Sequence, residues 1–128
     1  MRYLIFAFAC LAACSSSTGT STGATCQTSA APLTYDSFGH QFMTTYCTGC
    51  HSSTLKGAMR QGAPDDDNFD TLEGVMAAAS EIDGIAGAGP KAMNADMPPE
   101  ECSTCEKPTA DERRQLASWI ACERMSGP

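Results

Sequence analysis

Cys47-Thr48-Gly49-Cys50-His51 is the stretch on which the reading of this chain turns. Two thiols three positions apart can share one side of a helical turn, and an imidazole follows the second at once. The stretch comes directly after an aromatic face. Tyr35, Phe38, Phe42 and Tyr46 recur at intervals of three and four, the period of one side of a helix. Asp36 or Ser37 is placed to cap that helix.

Cys-x-x-Cys-His is the attachment signature of c-type haem. Each thiol can add to one haem vinyl group, and the adjacent histidine then offers a neutral ring nitrogen to the iron. Three other chemistries use a Cys-x-x-Cys. Zinc is one, because Cys102-Ser103-Thr104-Cys105 supplies a second pair. The gap from Cys50 to Cys102 is far longer than the usual spacing of roughly 15–20 residues, and zinc gives the adjacent histidine no role. A thioredoxin-like redox pair wants a βαβ context, and no strand pattern is visible. The last is a plain disulfide.

The remaining sequence reads as helices joined by long loops. Ser52 to Asn68 carries Gly57, Gly62, Pro64 and the triplet Asp65-Asp66-Asp67. The triplet lacks the spaced oxygen ligands and closing Glu of a calcium loop, so it reads as a solvated turn. Asp70 with Glu73 has capping spacing, and Leu72, Val75, Met76, Ala79 and Ile82 continue at helical intervals until Gly84, Gly87, Gly89 and Pro90. Thr109 with Glu112 forms a second capping box, and Leu116, Trp119 and Ile120 mark the inner face of a last helix. The expected fold is all-α. Loops this long in a small domain usually wrap something.

Met97, in Asn94-Ala95-Asp96-Met97-Pro98-Pro99, is the candidate second iron ligand. A thioether is a soft neutral donor that raises haem potential when paired with histidine, and two prolines stiffen the loop that carries it. Met93, Met76 and Met59 are its rivals. His40 precedes the motif on the same helix and reads as a surface residue.

The order Cys-x-x-Cys-His, Met-Pro-Pro, amphipathic C-terminal helix resembles the class I cytochrome c family, over roughly residues 32–124. The resemblance implies a small helical domain wrapped around one covalently attached haem, its N-terminal helix packed across its C-terminal helix. It implies Cys47 and Cys50 as thioether sites, His51 as proximal ligand and Met97 as distal ligand. Gly39 matches the small residue at the helix crossing, with Trp119 against it and Phe42. Cys26, Cys102, Cys105 and Cys122 lie outside the family's haem pattern and are disulfide candidates. The family's topology brings the chain ends together, which favours Cys26–Cys122 and leaves Cys102–Cys105.

The N-terminus reads as an export signal. Arg2, the apolar run Tyr3 to Leu11 and then Leu11-Ala12-Ala13-Cys14 resemble a bacterial lipoprotein box, with Cys14 as the lipidated residue. Cys10 follows a bulky Phe8 and fits less well; an ordinary secretory signal is the alternative. Residues 1–13 are then signal peptide, 14–31 a Ser/Thr/Gly-rich tether and 32–128 the cytochrome c domain. Loss of residues 1–13 removes Arg2 and takes the formal charge from −7 to −8. That balance argues against nucleic acid and against docking on anionic headgroups, so the lipid is the expected membrane attachment. Ser15 after the lipid cysteine leans toward the outer membrane of a periplasm. The expected function is single-electron carriage between redox partner proteins, with no enzymatic activity of its own. The alternatives are a haem subunit of a periplasmic oxidoreductase or a haem-based sensor.

Overall fold

The computed structural model describes residues 19–28 and 31–127. The expected signal peptide and the lipidation site Cys14 lie outside the described residues. Four α-helices follow in order: α1 (His40–Tyr46), α2 (Leu72–Ala77), α3 (Ala79–Ala86) and α4 (Ala110–Ser126). A π-helical turn, Tyr35–Gly39, leads into α1, and a 3-10 turn, Gly57–Arg60, interrupts the first long loop. Among the described residues there is no β-strand, only an isolated bridge between Ala88 and Met93. The all-α class is therefore observed. None of the described helices is long and apolar enough to cross a membrane.

Helix α1 and its entry turn present their aromatic face to α4. Phe42 and Met43 are buried there with Leu116, Trp119 and Ile120. Two polar ties set the direction of the pair. Tyr35 N and Trp119 Nε1 both donate to Glu123 Oε1, at 3.1 and 2.8 Å. At the other end the Tyr46 hydroxyl donates to Glu112 Oε1 at 2.8 Å. The start of the first helix thus meets the end of the last, and the two run in opposite directions. Where they meet, Gly39 is buried. A Cβ built on it would stand 2.2 Å from Trp119 Cζ2, so only glycine allows this approach.

Local signals are obeyed with shifts of a residue or two. The Thr109–Glu112 capping box forms as expected, with Glu112 N donating to Thr109 Oγ1 at 3.2 Å and Thr109 N to Glu112 Oε2 at 2.7 Å. The first helical segment is capped by Thr34 rather than Asp36 or Ser37. Ser37 sits at the third position and completes a box with Thr34. Thr71, not Asp70, caps α2, because the Asp70 carboxylate is taken by Ser53 N at 2.7 Å. The single helix expected from Leu72 to Ile82 breaks at Ala78, whose N–H turns back to Val75 O. The apolar face continues through the break: Val75, Ala79 and Ile82 are all in the core.

The described part of the expected tether packs against the domain. Thr22 is fully buried, donates from Oγ1 to Asp83 Oδ1 at 2.5 Å and from N to Asp83 Oδ2 at 3.0 Å. Asn94 Nδ2 reaches Thr20 O at 2.7 Å and Lys91 N reaches Thr22 O at 2.9 Å. Cys26 is bonded to Cys122 of α4. Residues 19–28 form a strap over α3 and α4, and a free linker over 14–31 is corrected to that extent. Composition alone missed this because the strap is ordered by one buried carboxylate and one disulfide rather than by apolar burial.

Candidate functional site

The turn after α1 continues the helix for one more step and then tightens. Cys47 N and Thr48 N both donate to Met43 O, and Cys50 N and His51 N donate to Cys47 O at 3.1 and 2.9 Å. This turn aims Cys47, Cys50 and His51 into one cavity of about 660 Å³. That size falls within the roughly 300–1,000 Å³ of small-molecule and cofactor sites. Phe42, Phe69, Ile82, Ile85, Ala86 and Pro98 supply its apolar wall.

Met97 lines the same cavity, carried there by the second long loop. Its rivals do not: Met59 and Met93 are more than half exposed and Met76 packs against the core cluster. His40 is an exposed residue whose ring meets the edge of Tyr35, away from the cavity. The Met97 backbone is held on both sides. Its N–H donates to Ile85 O at 3.1 Å, and its carbonyl accepts from Arg113 Nη1 at 2.9 Å. Lys107 Nζ then donates to Pro98 O at 2.9 Å and to Pro99 O.

The imidazole of His51 is oriented by two contacts. Its ring stacks on Phe69 with centroids 4.6 Å apart and planes 12° from parallel. Its Nδ1 lies 3.3 Å from Asp67 O, and since a carbonyl only accepts, Nδ1 carries the proton. Nε2 is then the unprotonated nitrogen, the form that binds a metal. Burial lowers the histidine's pKa below its ordinary 6.5, the Asp67 hydrogen bond opposing, so the ring is neutral at pH 7. Burial pushes the Cys47 thiol up to about 12, with the Arg113 charge pulling the other way. Neither Cys47 nor Cys50 is in a disulfide.

The other cysteines are spent on each other. Cys102 is bonded to Cys105 and Cys26 to Cys122, the pairing the resemblance implies. A zinc site drawing on both Cys-x-x-Cys pairs is therefore not built. Among the described residues no three His, Cys, Asp or Glu side chains gather as a metal cage. The acidic triplet serves Arg60 through both charge and backbone: the Asp65 carboxylate lies 3.6 Å from Arg60 Nε, and the Asp67 carbonyl serves both His51 and Arg60.

Two arginines that sequence reasoning passed over organise the loops. Arg60 is 2% exposed. Its guanidinium donates to Ser52 O at 2.7 Å, Asn68 Oδ1 and Asp67 O at 2.9 Å, Ala63 O at 3.2 Å and Pro64 O. The loop from Ser52 to Asn68 is folded around this one cation, which places the carbonyl that His51 uses. Arg113 does the same for the Met97 loop. A signal for Arg113 was available: a cation in the first turn of a helix opposes the helix dipole and asks for a reason. In comparisons with protein-family models, curated proteins and solved structures, the chain matches none.

Proposed function

We propose that this protein is a one-electron carrier that holds a single c-type haem through Cys47 and Cys50, with His51 and Met97 as its axial ligands. One observation carries the reading. Two free thiols, a neutral imidazole and one methionine out of several, drawn from distant parts of the chain, line the same apolar cavity. The residues present fit the group: soft and imidazole donors suited to iron, a largely apolar wall, and room for a cofactor.

Bound there, a haem supplies a one-electron iron couple. The chain's own residues do the rest. Cys47 and Cys50 would hold the haem through thioether bonds, each S–H adding across a vinyl double bond with its hydrogen going to the neighbouring carbon, so that no atom would leave. His51 presents Nε2, kept in the right tautomer by Asp67 O and in the right plane by Phe69. Met97 offers its sulfur from a loop pinned at Ile85, Arg113 and Lys107. With His51 and Met97 both holding the iron, ligation would not need to change with redox state, which would suit a carrier rather than a substrate-binding enzyme.

The carrier would sit in a periplasm, anchored by lipid on Cys14, and exchange electrons with donor and acceptor proteins. Expression with a cytochrome c maturation system tests the core of it. Colour should survive denaturation and acid–acetone extraction, and colour that washes out sinks the haem reading. The oxidised protein should be low-spin with the weak red band of sulfur-to-iron charge transfer. Met97→Ala should abolish that band while Met93→Ala keeps it. A five-coordinate wild type, or one that turns over peroxide at an enzymatic rate, would replace the carrier with the sensor or enzyme reading.

A further inference from the structure

Arg113 is a buried cation that forms no salt bridge among the described residues, with the Asp96 carboxylate acting on it only from a distance. The residue is 5% exposed, and the ion pairs found among the described residues are Arg60–Asp65 and Arg114–Asp111. A buried charge is costly unless hydrogen bonds satisfy it. Here the acceptors are all main-chain carbonyls of one stretch. Arg113 Nη1 donates to Ala86 O at 2.9 Å, Asn94 O at 3.3 Å and Met97 O at 2.9 Å. The residue's own carbonyl accepts from Ala88 N at 3.0 Å. The residue therefore grips the end of α3 and both ends of the Gly-rich stretch 87–97, which has no helix of its own. Asn94 extends the grip, donating from Nδ2 to Asp83 O at 2.9 Å and to Thr20 O of the strap.

We propose that Arg113 is a positioning residue for the Met97 thioether. It fixes the carbonyl of the very residue whose side chain is offered as the distal donor at the cavity, so the donor stands ready instead of being recruited from a loose loop. This rests on Met97 as the distal ligand. Its consequence is a shift of populations. An external ligand competes for iron only in the fraction of molecules whose sulfur is off, and its apparent affinity scales with that fraction. Freeing the Met97 carbonyl raises that fraction.

The test uses the haem-loaded, oxidised protein and cyanide as the competing ligand. Arg113→Met, similar in length but without donors, should bind cyanide at least about tenfold more tightly than wild type and lose part of the red sulfur-to-iron band. Arg113→Lys should fall between the two. Leu116→Ala is the control for stability alone: Leu116 is fully buried on the same helix and does not line the cavity. It should lower the melting temperature yet keep wild-type cyanide affinity and band. If Arg113→Met keeps both wild-type properties, or if Leu116→Ala moves both equally, the positioning role is overturned while Met97 ligation stands. If wild type lacks the band and Met97→Ala leaves cyanide affinity unchanged, the ligand assignment falls and the positioning role with it. Should Arg113→Met fail to accumulate, Arg113→Lys decides by the same two readouts.

Discussion

Gly39→Ala sets two effects of known sign against each other. In an exposed helix, alanine for glycine stabilises by about 0.8–1 kcal/mol. Here the added methyl carbon would lie 2.2 Å from Trp119 Cζ2 and 2.6 Å from Cε2 and Cη2. Carbon atoms rest at roughly 3.5–4.0 Å, so something must move by more than about 1 Å. Trp119 is poorly placed to yield. It is fully buried, its Nε1 is bonded to Glu123 at 2.8 Å, and the rings of Tyr35 and Phe38 stand 6.2 and 6.1 Å from it. Helices α1 and α4 would have to part, and overpacking of this kind costs about 1–3 kcal/mol or more. The clash should win, leaving a net loss of about 1–2 kcal/mol and a melting temperature lower by roughly 5–15 °C. Circular dichroism melts of wild type and variant measure it. A variant as stable as wild type, or more so, would show that the two helices do not cross at Gly39. Pairing Gly39→Ala with Trp119→Leu should recover part of the loss, since the two changes share one contact.

The two disulfides should differ in weight. Replacing Cys26 and Cys122 by serine opens a loop of sequence separation 96 and should cost about 4.7 kcal/mol, whereas opening the separation-3 loop of Cys102 and Cys105 should cost about 1.9 kcal/mol; urea titrations in which the short loop matters more would refute the entropic account. Arg60→Met should destabilise by at least roughly 2 kcal/mol, because several buried carbonyls lose their donor together; a variant within error of wild type in the same titrations would mean that the loop does not depend on it. Acid stability should reflect Asp70 and Glu112, whose carboxyls are held below their ordinary 3.8 and 4.5 by hydrogen bonds from Ser52 and Ser53 and from Thr109 and Tyr46. Their contribution is fully present above those values and is lost as pH falls through the lower folded-state ones. Asp70→Asn with Glu112→Gln should therefore flatten the melting temperature below pH 4.5 relative to wild type, and an unchanged acid slope would count against both hydrogen-bonded clusters.

What the sequence showed and what it hid divide along a physical line. Periodic apolar spacing is a local signal, and it marked the faces of α1 and α4 and the core residues Leu116, Trp119 and Ile120; the close pass of Gly39 and Trp119 came from the resemblance, not from the spacing. Cap positions were less legible because several capable residues stand together. Asp70 and Thr71 both suit the start of α2, and the choice depends on Ser53, seventeen positions away, engaging Asp70. The strap was read as a linker because polar composition says nothing of a buried partner such as Asp83. Arg60 and Arg113 drew no notice for the same reason: most of their acceptors are backbone carbonyls, which every residue has and no sequence pattern distinguishes. The Cys-x-x-Cys-His motif was legible as donors, but the Asp67 carbonyl and the Phe69 ring that orient His51 emerge only from the fold.

The Cys26–Cys122 bond also makes the domain a covalent ring. Every residue that lines the cavity, from Phe42 to Pro108, lies inside it. A protease that cuts one exposed loop, whether near Asp66 or near Ser103, would open the backbone without releasing a fragment. Both pieces would stay joined at α4, with the strap still seated on Asp83. Digestion followed on a non-reducing gel would show intact mass where a reducing gel shows two bands. For a protein with two long loops, that topology turns a severing event into a nick.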